Sequence, residues 1–143
     1  MFTKLTPNLM VTDVNRTVEY YHEILGFDFI IGVLAGSQEI ITKYDTEKSL
    51  AFALVQQNGV QFMFQSQQSF IKEMPLVRDK TIGATATFYI EVSNAKQLYQ
   101  QLQNRTNIVS QLHDTFYGKE EFCLQDCNGY MLCFASESEK KTP

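Results

Sequence analysis

Two histidines offer the side chains best suited to acid and base chemistry, but neither lies where it would act. His113 directly precedes Asp114, and a histidine oriented by a carboxylate is a common general base. Adjacent residues on an extended chain point to opposite sides, which disfavours this pairing. His22 lies inside a predicted helix between Tyr21 and Glu23, where a solvent-exposed histidine is expected. We therefore predict no catalytic residue among the histidines.

The three cysteines, Cys123, Cys127 and Cys133, crowd into one stretch near the end of the chain. An odd number is not a disulfide framework, and the spacing lacks the C-x-x-C pair of a zinc site. Cys133 has two further interpretations. As a nucleophile it would need a neighbouring base or cation to lower the pKa of its thiol, and the sequence around it supplies none. As a buried thiol it would line a pocket as a small apolar group.

Composition and charge exclude several classes of partner. The 143-residue chain is 44% hydrophobic and 20% charged, like an ordinary globular protein. Its net charge is −4, without a basic run that would follow a phosphate backbone, so we expect no nucleic-acid partner. No apolar stretch approaches the roughly 20 residues that span a bilayer, so we expect no membrane partner. The first residues lack the pattern of a signal peptide, which predicts a cytoplasmic protein.

One pattern of strand, cap and helix occurs twice in the chain. Residues 5–11 predict a short strand, Asp13 is a suitable helix N-cap, and Gly26 is a suitable C′ residue. The apolar positions of the helix between them recur at three- and four-residue spacing: Val14, Val18, Tyr21 and Leu25. Residues 90–103 repeat the strand, the polar cap and the helix. This repetition indicates an internal duplication.

The remaining patterns complete two βαβββ modules in an α+β fold. Strand candidates after the first helix lie at 27–33, 39–44, 50–56 and 60–65, which is one more than the βαβββ order needs. The strands of the second module are predicted at 84–92, 108–112, 116–125 and 130–135. Asn58 and Gly59 predict a type I′ hairpin turn, and Asn128 and Gly129 a second Asn-Gly turn. The expected organisation is a single domain with modules at about 4–65 and 83–136, a linker at 66–82 and a polar tail at 137–143.

Strand alternation predicts which side chains face the helices. Phe62 and Phe64 share the face expected under the first helix, so the opposite face carries Gln61, Met63 and Gln65. The last two strands alternate in the same way, with apolar Phe122, Leu124, Leu132 and Phe134 opposing Glu121, Cys123, Gln125, Met131, Cys133 and Ala135. The second faces are too polar for a packed core and too apolar for an ordinary wet surface. We therefore expect a curved, cup-like mixed sheet with the helices outside.

Both ends of the chain resemble one known superfamily. Residues 5–27, with Val11-x-Asp13, Tyr20-Tyr21 and Ile24-Leu25-Gly26-Phe27, are similar to the opening module of the glyoxalase, bleomycin-resistance and extradiol-dioxygenase superfamily, the vicinal oxygen chelate fold. Residues 117–132, with Tyr117-Gly118 and Asp126-Cys127-Asn128-Gly129-Tyr130, are similar to its terminal hairpin. Cys127 replaces the usual Pro of that turn.

The resemblance implies a site for one divalent metal, but the residues at its positions are poor ligands. Enzymes of the superfamily bind the metal with His and Glu side chains from the first and last strands of each module. These positions fall on Thr6, Thr87, Cys133 and, within about two residues, Met63. Such metals need imidazole, carboxylate or thiolate donors. None of these four residues is His, Asp or Glu, and two threonines, a thioether and one thiol do not make such a site. We therefore expect neither a metal nor another cofactor, and we lean against an enzyme.

The most favoured function is binding of an unidentified small molecule, as in the metal-free bleomycin-resistance-like members. The alternatives are a lyase, isomerase or dioxygenase with a non-standard active site, and a structural or regulatory module without ligand. Aromatic side chains at the sheet edge would stack on a flat or cationic ligand, with Glu91 and Glu121 as countercharges. The candidate pocket residues are Thr6, Asn8, Gln61, Met63, Gln65, Thr87, Tyr89, Phe116, Tyr117 and Cys133. A homodimer is expected, since superfamily pockets commonly form between chains.

Overall fold

A computed structural model describes residues 1–139 of the chain, which form two compact units. The first unit is Met1–Ile82, and the second begins at Gly83. Each unit contains one sheet and at least one α-helix, which confirms the predicted α+β class. That the two units make up a single domain stays a prediction. Within residues 1–139 no helix has the length and apolarity needed to span a bilayer.

The first unit is a five-stranded sheet with two α-helices. In chain order its elements are β1 (Asn8–Val11), α1 (Val14–Glu23), β2 (Asp28–Leu34), β3 (Ile40–Ile41), β4 (Leu50–Gln57), β5 (Val60–Ser66), α2 (Gln67–Glu73) and a 3₁₀ turn at Pro75–Val77. The strand order is β1-β5-β4-β2-β3. Strand β1 runs parallel to β5, whereas the other neighbours are antiparallel.

Helix α1 begins and ends at the residues that the sequence indicates. The Asp13 side chain accepts a hydrogen bond from the backbone N–H of Arg16 at 3.0 Å, as an N-cap does. At the other end Gly26 has a φ of 78°, which an L side chain rarely adopts. This turn lets the backbone N–H of Phe27 donate to the carbonyl oxygen of Tyr21 at 2.9 Å. Local sequence therefore sets both helix ends.

The core of the first unit is an aromatic cluster between α1 and the sheet. Tyr21 of α1 is fully buried, and its ring centroid lies 5.6 Å from that of Phe27, 5.5 Å from that of Phe62 and 4.7 Å from that of Phe64. Phe62 and Phe64 are likewise buried. Their predicted position under the helix is confirmed, so Gln61 and Met63 lie on the opposite face of β5.

The second unit has the predicted order of strand, helix and three strands. Its elements are β6 (Thr87–Glu91), α3 (Ala95–Leu102), β7 (Asn107–Asp114), β8 (Lys119–Gln125) and β9 (Met131–Glu137), and its strand order is β6-β9-β8-β7. The ring of Tyr99 in α3 lies 5.2 Å from that of Phe122, which in turn lies 5.2 Å from that of Phe134. The apolar face of this sheet therefore packs under its helix.

Several elements differ from their predictions. The predicted linker contains helix α2, which the sequence interpretation did not include, and the Ser66 side chain caps this helix by accepting from the N–H of Ser69 at 3.3 Å. The strand predicted at 39–44 is reduced to Ile40–Ile41. The predicted tail begins too early, since β9 includes Glu137 and the N–H of Ser138 donates to Gly118 at 3.0 Å. Residues 140–143 of that tail lie outside the described residues.

Both Asn-Gly pairs connect strands, although the first turn is not type I′. Asn58 has a φ of 54°, but Gly59 is not in the left-handed region, whereas a type I′ turn needs both residues there. At the second pair only Gly129 has a positive φ, of 92°. The Asp126 side chain holds this turn by accepting from the N–H groups of Asn128 at 2.8 Å and Tyr130 at 2.9 Å.

The cysteines form a bond that the sequence interpretation ruled out. Cys123 in β8 and Cys133 in β9 are direct cross-strand partners with Cα atoms 4.1 Å apart, and their sulfur atoms form a disulfide. The spacing gave no sign of this, because the two residues become neighbours only through the register of the hairpin. Since its sulfur is bonded to another sulfur, Cys133 offers neither a thiolate nucleophile nor a thiolate metal ligand. Cys127 is not in this disulfide.

Replacing Tyr21 by Ala tests the importance of the aromatic cluster. The Tyr21→Ala variant removes a fully buried ring from its contacts with Phe27, Phe62 and Phe64, so we expect the free energy of unfolding to fall by about 3 kcal/mol or more. Urea unfolding followed by circular dichroism measures this change. Arg16→Ala, on the exposed side of the same helix, is the control and should change the value by less than about 0.5 kcal/mol. Equal losses in both variants would contradict this description of the core.

Candidate functional site

In the first unit, the amide side chains predicted to bind ligand are already engaged with one another. The Asn8 amide nitrogen donates to Gln65 Oε1 at 2.9 Å. The Gln65 amide nitrogen donates to Ser69 Oγ and Glu73 Oε2 of α2, both at 2.9 Å. Asn8 Oδ1 is buried without a hydrogen-bond partner among the described residues. Thr6 is half-buried and precedes β1.

Gln61 and Met63 lie on the sheet face opposite α1, as predicted. Met63 is half-buried and is the cross-strand partner of both Asn8 and Leu54. The Gln61 amide nitrogen donates to the side chain of Gln56 on the neighbouring strand. The structure thus brings Asn8 and Met63 side by side, and it leaves Gln61 near the hairpin end of β5. Their roles as pocket residues stay a prediction.

In the second unit, two tyrosines share one carboxylate. The Tyr89 hydroxyl donates to Glu121 Oε2 at 2.6 Å, and the Tyr117 hydroxyl donates to the same oxygen at 2.7 Å. Glu121 is 8% exposed, whereas Tyr89 is 49% and Tyr117 54% exposed. A buried carboxylate is stable only when hydrogen bonds replace its water, and the two hydroxyl groups supply them. We call this arrangement of Tyr89, Tyr117 and Glu121 the tyrosine–glutamate cluster.

Three elements position the cluster. Tyr89 lies in β6 and Glu121 in β8, on either side of β9, where the small residue Ala135 is the partner of Glu121. Tyr117 precedes β8 in a turn that Gly118 closes with a φ of 85°. These residues lie on the sheet face opposite α3, because Phe122 occupies the other face of β8.

The hydrogen bonds keep both phenols in their neutral form. For both residues the hydrogen bond to Glu121 is the largest cause of a raised pKa, and burial and the carboxylate charge add to it. Tyr89 and Tyr117 are therefore hydrogen-bond donors rather than bases at physiological pH. Glu121 supplies the negative charge, with exposed aromatic rings beside it. Such a site suits a ligand that carries a positive charge or an N–H donor next to a flat apolar body.

The residues around the cluster differ in how exposed they are to solvent. Phe116 is fully exposed and contacts the Tyr117 ring edge-on at 5.0 Å, while Thr87 is exposed at the start of β6. Cys133, the cross-strand partner of Tyr89, is buried in its disulfide. Lys119 forms ion pairs with Glu137 at 2.8 Å and Glu91 at 3.7 Å. The hydrogen bond to Glu137 is the main cause of a raised Lys119 pKa.

Neither histidine takes part in the hydrogen bonds that define the tyrosine–glutamate cluster. His113 is the cross-strand partner of Glu121, but its Nδ1 is bonded to the Gln111 carbonyl oxygen at 2.7 Å. Asp114 accepts instead from the Ser138 hydroxyl at 2.5 Å. The two side chains therefore have separate partners, which agrees with the expectation that they point apart. Exposed His22 has its Nδ1 bonded to the Phe27 carbonyl oxygen at 2.8 Å.

The sequence interpretation named Glu121 only as a possible countercharge, whereas the structure makes it the centre of the cluster. The signal that would have found it is strand alternation. Glu121 is a carboxylate on the same face of its strand as the half-apolar Cys123, and Tyr117 stands four residues earlier. Strand alternation does not predict the hydrogen bond between Tyr89 and Glu121, because that contact depends on the order of β6, β9 and β8 in the sheet.

The residues at the metal positions of the superfamily do not fit a metal. Thr6, Thr87 and Met63 lack the imidazole and carboxylate donors that a divalent ion needs, and Cys133 is held in a disulfide. Across residues 1–139 there is also no group of three or more His, Cys, Asp and Glu side chains arranged to hold an ion. These four positions therefore do not form a site for a divalent ion.

Comparison with known proteins then decides the family. The model of the glyoxalase/bleomycin resistance protein/dioxygenase superfamily matches residues 5–134. The chain belongs to this superfamily. Its resemblance to that superfamily, based on residues 5–27 and 117–132, is thereby confirmed. The search of curated proteins gave no match.

Solved structures show the same fold at low sequence identity. A glyoxalase/bleomycin resistance protein/dioxygenase from Nocardioides has a TM-score of 0.70 at 17% identity, covering 100% of this chain and 89% of its own. TioX from Micromonospora sp. ML1 has a TM-score of 0.67 at 15% identity, covering 94% and 99%. The bleomycin-binding protein of Streptomyces verticillus, solved with copper(II)-bleomycin, has a TM-score of 0.59 at 18% identity, covering 96% and 98%. Identities this low establish the fold alone.

Titration of the tyrosines tests the cluster. In the Glu121→Gln variant the phenols lose their charged acceptor, so we expect the pKa values of Tyr89 and Tyr117 to fall toward the ordinary value of about 10. Ultraviolet absorbance of tyrosinate during alkaline titration measures the shift. Glu120→Gln, the neighbouring carboxylate on the other side of β8, is the control and should leave the titration unchanged. A titration unchanged in Glu121→Gln would contradict the shared hydrogen bonds.

The raised pKa values also give stability a defined pH dependence. The folded protein holds the two phenolic protons more tightly than the unfolded chain does. Their contribution is therefore fully present below about pH 10 and is lost as the pH rises through the raised values. Glu121→Gln should flatten this decline, and denaturant unfolding at several alkaline pH values would show it.

Proposed function

We propose that this protein binds a small organic molecule at the tyrosine–glutamate cluster and that binding needs no metal. The observation that carries the proposal is the buried Glu121 carboxylate beneath two half-exposed tyrosines. Burying a carboxylate costs free energy even when it is hydrogen-bonded, so a purely structural sheet face has little use for one. A binding face uses the same charge to orient its ligand.

The chemistry of the cluster indicates the class of ligand. The Tyr89, Phe116 and Tyr117 rings are exposed and offer faces for stacking on a planar ring. Glu121 Oε2 accepts from the two phenols, which leaves Oε1 to accept from an ammonium or an amide N–H of the ligand. The proposed ligand is therefore a partly apolar, flat compound carrying a positive charge or an N–H donor.

The superfamily supports a binding role without specifying it. The S. verticillus structure holds copper(II)-bleomycin, so the fold is one on which a protein can bind a large organic molecule. The residues at the superfamily's metal positions do not supply metal ligands here, which leaves binding through stacking, hydrogen bonds and charge. Glu121 supplies the charge in this proposal.

Binding of 9-aminoacridine, a planar cation at neutral pH, tests the proposal. We expect Glu121→Gln to weaken its affinity by about tenfold, since the variant loses a charge-assisted hydrogen bond. Acridine, which is uncharged under the same conditions, should bind more weakly than 9-aminoacridine to the unmodified protein. Isothermal titration calorimetry measures both comparisons.

Glu120→Gln is the matched control and should bind 9-aminoacridine like the unmodified protein, with circular dichroism confirming that both variants fold. Equal weakening in the two variants would mean that overall charge attracts the dye. Failure of Glu121→Gln to weaken binding would overturn the proposal.

We also propose that the protein is a homodimer. The half-apolar sheet face that carries Met63 and Leu54 is wide for one chain of this size to cover. Superfamily pockets commonly form between two chains, and twofold pairing is the most frequent oligomer. Light scattering at micromolar concentration should give twice the 16.5 kDa mass of the chain. The mass of a single chain at that concentration would refute the dimer.

A further inference from the structure

The first unit contains a cavity that neither the predicted pocket nor the tyrosine–glutamate cluster includes. It has a volume of about 280 Å³ and lies between α1, β2 and the segment that precedes β4. Helix α1 contributes Val18, Glu19, His22 and Glu23, which lie on one side of the helix at four-residue spacing. Phe29 of β2 and Tyr44 complete most of its wall.

Hydrogen bonds from Asn15 hold the outer wall of the cavity in place. The Asn15 amide nitrogen donates to the Lys48 carbonyl oxygen at 2.8 Å and to the Tyr44 hydroxyl at 3.2 Å. Its amide oxygen accepts from the backbone N–H of Leu50 at 2.9 Å. One side chain of α1 therefore fixes both ends of the segment at 44–50. Because these hydrogen bonds lie within the chain itself, a ligand does not have to order this wall, which lowers the entropic cost of binding.

The lining of the cavity is aromatic and acidic. The Phe29 and Tyr44 ring centroids lie 5.5 Å apart and provide apolar faces. Glu19 and Glu23 supply two carboxylates, and no Lys or Arg is among the residues that line the cavity. The Tyr44 hydroxyl donates to Glu19 Oε2 at 2.5 Å, and burial, together with this hydrogen bond, raises the pKa of Tyr44 to about 12.

His22 adds a further acceptor. A carbonyl oxygen only accepts hydrogen bonds, so the contact with Phe27 assigns the proton of the neutral ring to Nδ1. Nε2 is then the nitrogen that accepts. An ammonium group has three donors, and the cavity lining includes three acceptor side chains, Glu19, Glu23 and His22. Aromatic rings attract both the charge of the ammonium group and an attached apolar body.

We propose that this cavity is a second binding site, specific for a small protonated amine with one apolar ring. Its volume is just below the usual range for ligand pockets of about 300–1,000 Å³, which limits the ligand to about the size of a single-ring amine. The site lies entirely within the first unit, whereas Glu121 belongs to the second. It therefore does not depend on the function proposed for the tyrosine–glutamate cluster.

Phenethylamine and its uncharged counterpart 2-phenylethanol are the probes that test this site. Titration of the ¹⁵N-labelled protein should shift backbone amide signals of α1 and of residues 44–46 with phenethylamine, and 2-phenylethanol should bind about tenfold more weakly because it lacks the charge. Equal binding of the two probes, or shifts that exclude α1, would overturn the proposal.

Three variants identify the residues responsible. Glu23→Gln and Glu19→Gln should each weaken phenethylamine binding by about fivefold or more, since each removes one charged acceptor. Glu47→Gln, on the same segment but outside the cavity lining, should bind like the unmodified protein. Unchanged affinity in both cavity variants would overturn the proposal. Glu121→Gln separates the two sites, because it should leave the α1 shifts intact even if it abolishes binding of 9-aminoacridine.

Discussion

The packing of one helix against the aromatic face of each sheet is the interaction on which both units depend. In the first unit Tyr21 fills the space above Phe62 and Phe64, and in the second Tyr99 packs on Phe122. Because neighbouring side chains of a strand point to opposite faces, burial of these rings fixes the orientation of every other residue in the same strand. The polar and sulfur-containing residues are thereby confined to the faces that the helices leave uncovered.

Glu121 is a charged residue on the sheet face that α3 leaves uncovered. Because Phe122 is buried under α3, its neighbour Glu121 lies on the opposite side of β8. The hydroxyl groups of Tyr89 and Tyr117 donate hydrogen bonds to Glu121 and so compensate for the hydration that the carboxylate loses. Membership of the superfamily defines the scaffold, but it does not define the donors placed on it. At the superfamily's metal positions this chain has hydroxyl, thioether and disulfide groups, and its carboxylates lie elsewhere.

Most of the scaffold follows from local sequence. Asp13 and Gly26 set the ends of α1 because capping and a left-handed turn involve only residues within a few positions along the chain. The alternation around Phe62 is equally local, and it correctly predicted the buried face. The repeated strand, cap and helix likewise predicted two modules. Helix α2 was missed because it is short, half-exposed and without an apolar stripe, so that only the Ser66 cap distinguishes it from a loop.

The tertiary structure alone decided which distant residues meet. The Cys123–Cys133 disulfide depends on the register of β8 and β9, and the Tyr89–Glu121 contact depends on β9 lying between two strands that are far apart in sequence. The cavity beside α1 likewise depends on the hydrogen bonds of Asn15 to residues 33 and 35 positions later in the chain. Sequence patterns report on neighbours within one turn or one strand, whereas register and strand order arise from packing of the whole sheet. For that reason the residue types of the site were visible in the sequence, but their partners were not.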